Sequence, residues 1–162
     1  MTREPITITD AEDTGPLLAS LRAEAAAFRP SRDAVFEGLE SRFAAIGATE
    51  AAAAPRRHLA EMAGAEVAAD AEFWRFSWGD YVLPTEWLGD GGGDLRIWML
   101  NASPADALIV SLRGGARSFT QRAGRALTIR RPCQFWLGPT HADDLYLAVA
   151  GRHPGGAAKR VA

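Results

Sequence analysis

"ALIVSLRGGARSFTQRAGRALTIRRPCQFWL", residues 107–137, is the stretch on which the fold turns. Apolar and polar residues alternate along it. Turn signals fall at Gly114-Gly115 and again at Ala123-Gly124. Period-two alternation broken by glycine turns marks antiparallel strands. It predicts strands of roughly 107–113, 116–122 and 125–131. On that register Arg113 and Arg117 flank one turn. Arg122 and Arg125 flank the next, about 20 Å away at the usual rise per residue. The third strand then carries Arg130 and Arg131 back beside the first pair. Four arginines should converge at one end of the sheet.

The same period continues outward. "FWRFSW" (73–78) puts Trp74, Phe76 and Trp78 on one face, most of it core. In "LRIWML" (95–100) Trp98 opposes Leu95, Ile97 and Met99. That strand is either buried on both faces or shows Trp98 to a partner or to the helices. "LYLAVAG" (145–151) follows. No strand–helix–strand alternation appears after residue 73, which argues against a parallel nucleotide-binding sheet.

The first half reads as helical. Leu18, Leu21, Ala25 and Phe28 recur at helical steps, as do Phe36, Leu39, Phe43 and Ile46. Pro30 separates the two stripes, Ser31 can cap the second, and Gly47 can end it. A third helix begins near Pro55, with Leu59, Met62 and Val67 inward. The expected class is α+β: two or three N-terminal helices, then an antiparallel β-sandwich or barrel. The expected organisation is a helical attachment or packing segment over 1–70, a β-domain over 71–152 and a mobile tail over 153–162. Phe36, Leu39, Phe43 and Ile46 pack within the chain or form a short seam to other copies.

Charge is divided unevenly. Residues 1–112 hold nine arginines against eighteen acids, while residues 113–162 hold eight arginines and one lysine against two acids. The whole chain has a formal net charge of −2. A dedicated nucleic-acid binder would be basic overall, so no nucleic-acid partner is expected. The strand-end arginines either keep edges soluble and answer the acids of the first half, or bind an anion or partner through Arg113, Arg117, Arg130 and Arg131. The N-terminal "MTREPITITD" has no apolar signal core, and no apolar run approaches the ~20 residues of a membrane helix. The expectation is a protein made in the cytoplasm, with particle association or non-classical export as the other route, and no membrane insertion.

Chemistry-bearing residues are few. Cys133 is the one cysteine, so an intrachain disulfide and a cysteine-based zinc cluster are excluded. A lone cysteine without a positioned base reads as a small buried apolar residue. Of His58, His141 and His153, His141 opens "HADD", where Asp143 or Asp144 could serve as its acid–base partner. No second histidine stands at ligand spacing, so no metal and no cofactor is expected. Trp87 and Tyr81, with Asp90 beside them, could form a surface for a glycan, and Trp98 is a further candidate. These readings lead to a non-enzymatic assembly or binding module of phage, particle or secretion type. Its helices attach to a larger object, and a protein partner or self-association meets the β-domain. The alternatives are a carbohydrate- or small-ligand-binding β-domain, and a small hydrolase or lyase built on His141.

Overall fold

The computed structural model describes residues 4–10, 13–30, 34–36, 39–46, 50–85, 87–88, 94–130 and 132–151. The quoted stretch forms β8 (Ser103–Leu112), β9 (Gly115–Gln121), β10 (Arg125–Ile129) and β11 (Cys133–Leu137), close to the strand bounds expected from its alternation. Before them come β6 (Glu72–Phe76) and β7 (Leu95–Met99), and β12 (Leu145–Ala150) follows.

These strands belong to two sheets. The large sheet runs β1-β10-β7-β12-β6-β5-β2, with β1 at Ile6–Thr9, β2 at Arg29–Pro30 and β5 at Ala44–Ile46. The small sheet runs β11-β8-β9, and the described residues of 82–88 extend it through bridges Val82↔Leu137 and Leu88↔Cys133. All described pairings are antiparallel. From β6 onward the chain crosses repeatedly between the sheets. β6, β7, β10 and β12 lie in the large one; 82–88, β8, β9 and β11 lie in the small one. Four of the seven strands of the large sheet alternating along the chain with four segments of the small one is the pattern of a jelly roll. β9 and β10 therefore are not neighbours: the Ala123-Gly124 turn carries the chain from one sheet to the other.

Two apolar layers follow from the pleat. Trp74, Phe76, Leu95, Ile97, Met99, Leu108, Val110, Phe119, Leu127 and Phe135 fill the space between the sheets. Phe73, Trp98, Tyr146 and Ala148 face the other way, under the helices. The helices are α1 (Gly15–Ala23), α2 (Ala53–Ala63) and α3 (Ala65–Ala69). Leu17, Leu21 and Leu59 anchor them. Trp98 is thus buried beneath the helices, which settles its parity. Among the described residues no helix is long and apolar enough to cross a membrane.

The α+β expectation of a helical segment followed by a sandwich is overturned. The described residues of 31–47, where a helix is expected, form none. Ala34–Phe36 (β3) and Leu39–Glu40 (β4) pair antiparallel, and β5 pairs with β6. Phe43 and Ala45 face the space between the sheets while Ala44 and Ile46 face the helices. A strand covered on both sides shows no apolar–polar alternation, so its spacing mimics a helix. β1, β2 and β5 from the first half are integral to the large sheet rather than an attachment. Phe43 stacks on Phe76 at 5.4 Å and Ile46 is buried in the chain's own core. The side chains of Phe36 and Leu39 fall outside the described residues. Trp78, expected in the core, is 61% exposed because the chain turns at Gly79 just after β6.

Candidate functional site

One end of the jelly roll gathers the finish of β8, the start of β9, the finish of β10 and the starts of β1 and β11. A hollow of about 610 Å³ opens there. Leu112, the Gly114-Gly115 turn and Ala116 form one wall, Pro5 and Pro132 the other, and Arg113 and Arg117 supply its charge. Arg113 lies over the Trp87 ring at 4.7 Å, and Arg117 over the Phe119 ring at 5.0 Å. Stacking holds a guanidinium by its face and leaves its N–H edge available. Among the described residues no carboxylate pairs with either arginine. Arg117 shares the face of β9 that carries Phe119 and Gln121, so it stands at the rim of the space between the sheets.

The other two arginines of the expected cluster divide. Arg130 is used within the fold: its amide donates to the Pro5 carbonyl at 2.8 Å, and its guanidinium donates to the Glu4 carbonyl and the Thr7 hydroxyl. It ties β1 across the mouth and so places Pro5 on the wall. Arg131 lies outside the described residues, with Pro132 beside it lining the hollow. At the opposite end Arg125 is clasped by Asp10, with Nε 2.6 Å from the carboxylate. Phe119 lies two residues from Arg117 on β9, and Trp87 stands out in the sequence for another role. The wall prolines and the Arg113–Trp87 contact carry no signal in a single sequence, because the fold alone brings them together.

Other candidates fall elsewhere. Tyr81 is half-buried and bridges to Arg42 through the backbone, Trp87 is taken by Arg113, and Asp90 lies outside the described residues. Cys133 is fully buried, and burial pushes its thiol up to about 11, so it is inert. His141 is not partnered by Asp143 or Asp144. Its Nδ1 is 2.9 Å from Asp106, thirty-five positions away, while Asp144 is held by Arg75 and Arg22. Among the described residues no three His, Cys, Asp or Glu side chains come together as a metal site.

No family model matches the chain, and no curated protein matches it. Solved structures do share its fold. A Pseudomonas putida prolyl-4-hydroxylase is similar with a TM-score of 0.63 at 16% identity, over 92% of this chain and 93% of that one. A prolyl hydroxylase from Trichoplax adhaerens, solved with a hypoxia inducible factor peptide fragment, gives 0.65 at 10% identity, over 90% and 82%. An oxidoreductase of the 2OG-Fe(II) oxygenase family from Burkholderia pseudomallei gives 0.60 at 11% identity, over 94% and 88%. At these identities the likeness establishes the jelly-roll fold. It also overturns the expected non-enzymatic assembly module of phage or particle type, since the architecture is shared with enzymes.

Such oxygenases imply a non-heme iron held by two histidines and a carboxylate. The described residues do not fit that group. His58 sits on α2, outside the sandwich, and His141 is spent on Asp106 at the end away from the hollow. The space between the sheets is lined by apolar side chains. Gln134 and Thr85, which meet where β11 and residues 82–88 run together, bond each other's strands: Gln134 Nε2 donates to the Thr85 carbonyl at 2.9 Å.

Proposed function

We propose that this chain is an enzyme-class jelly roll whose ligand is a small organic anion, taken into the hollow between Arg113 and Arg117, and that it is held there without iron, for which the described residues offer no ligand set. One observation carries the reading: an apolar, barrel-end hollow with two guanidiniums stacked on aromatic rings and paired with no carboxylate among the described residues. Ligand sites favour barrel mouths, with an apolar lining and few placed polar groups. Arginine's planar fork suits a carboxylate in two-pronged fashion. The structural neighbours add support, because one of them is named for a cosubstrate, 2-oxoglutarate, that is itself a small dianion.

Thermal melts against succinate, 2-oxoglutarate and citrate, with equal ionic strength of sodium chloride as reference, test this. At about 100 times Kd a ligand stabilises by about 2.7 kcal/mol. For a chain of this size that raises Tm by about 5–10 °C. The rise should vanish in Arg113→Gln with Arg117→Gln. Equal melting in every acid and in chloride would overturn the reading.

A further inference from the structure

A second cluster lies at the opposite end of the jelly roll, where β6 and β11 finish and β8 and β12 begin. Asp106 is buried there, its side chain 3% exposed, beside a His141 side chain that is 56% exposed. Three donors converge on the carboxylate. They are the Ser103 hydroxyl, the His141 backbone N–H at 2.9 Å, and His141 Nδ1 at 2.9 Å. Burial raises Asp106's pKa, but the bonds from Ser103 and His141 outweigh it and keep the group an anion. A carboxylate can only accept, so Nδ1 must carry the proton. In the neutral ring Nε2 then has its lone pair free and turned away from Asp106.

The surroundings hold that geometry. Gly79's N–H donates to the Thr140 carbonyl, Thr140's N–H to the Asp80 carbonyl, and Thr140's hydroxyl to the Ser77 carbonyl, all within 2.9 Å. Ser77's N–H in turn donates to the Asp80 carboxylate. These bonds stitch the 77–80 turn to the His141 loop. They also set Trp78 edge-on to His141, with ring centroids 5.6 Å apart. Trp78 is the largest exposed apolar side chain among the described residues. A buried carboxylate fixing the tautomer of an imidazole whose other nitrogen is exposed is the orienting arrangement of a general base.

We propose that His141 is a general base oriented by Asp106, with Trp78 as the platform for an uncharged, flat, hydroxyl-bearing substrate. Nε2 takes the hydroxyl proton, the O–H electron pair stays on the substrate oxygen, and the imidazolium is held against Asp106 until the proton is returned. Asp106 and Asp143 make the neighbourhood anionic, which disfavours a negatively charged substrate. The site is thereby distinct in chemistry and in place from the arginine hollow, and neither proposal depends on the other.

The probe is p-nitrophenyl acetate, a neutral flat ester, used on the full chain alongside imidazole ¹⁵N spectra. Here the hydroxyl is that of water, whose proton passes to Nε2 while its oxygen adds to the ester carbonyl, and acetate and p-nitrophenolate leave. The spectra should show His141 with its proton on Nδ1. Ester cleavage should fall by about 10²-fold in His141→Gln, the low end of what a positioned base contributes. His58→Gln should leave the rate unchanged. Asp106→Asn should lower the rate and mix the tautomers. The wild-type spectrum keeps the test decisive if that buried variant does not fold. A proton on Nε2 in the wild type, or undiminished cleavage in His141→Gln, would overturn the proposal.

Discussion

Asp144 shows how single residues set the acid limit of this fold. Its carboxylate lies 3.1 Å from Arg75 Nε and 3.2 Å from Arg22 Nε. Burial pushes its pKa up, yet the Tyr146 hydroxyl and the two guanidiniums outweigh that and hold it below the usual carboxylate range. Asp106 is lowered in the same sense. A group whose folded pKa is depressed stabilises fully above its unfolded value, and the contribution fades as pH falls through the folded one. The urea midpoint should therefore be level from pH 7 to about 5 and decline below about 4. Asp144→Asn should soften the decline, and a midpoint level to pH 2 would contradict the ion-pair account. The sequence pointed to His141 and to the acids after it, but assigned them to each other. Their real partners, Asp106 for the one and Arg22 and Arg75 for the other, come from distant strands and a helix. Nearness along the chain was the one cue a single sequence offered.

Elements were legible wherever one face of a strand is wet. β8, β9 and β10 alternate because they have a solvated side, and their bounds followed from it. β5 has none, since Phe43 and Ile46 enter opposite apolar layers, and its steps read as helical. β12 is also covered on both faces, all six residues being buried, yet "LYLAVAG" reads as a strand. It sits between β7 and β6 and closes at Gly151, whose φ of 83° lies in the left-handed region. A Cβ there would stand 2.1 Å from the Asp94 carbonyl oxygen, at the start of β7. Backbone cannot yield as a side-chain tip can. Gly151→Ala should thus cost at least about 1–3 kcal/mol and lower the Tm in a thermal scan. An unchanged Tm would mean that β12 does not close against β7 as described.

For the whole molecule, the charge imbalance between the two parts of the sequence is resolved in two ways. Part of it is internal: Arg125 meets Asp10 and Arg130 holds the residues before β1, so the basic strands grip the N-terminal one. The rest stays open at one end of the jelly roll, as Arg113 and Arg117 over their aromatic rests. Composition recorded the imbalance but could not show which arginines were spent, because the crossings between sheets decide it. The jelly-roll scaffold was equally out of reach, since the crossings between sheets that define it leave no motif in the sequence. The central claim, an anion site that works without iron, is tested most directly by calorimetric titration of 2-oxoglutarate with and without Fe(II) under anaerobic conditions. The account predicts the same Kd in both titrations, and loss of binding in Arg113→Gln with Arg117→Gln. Binding that appears only with Fe(II), and survives that double substitution, would contradict it.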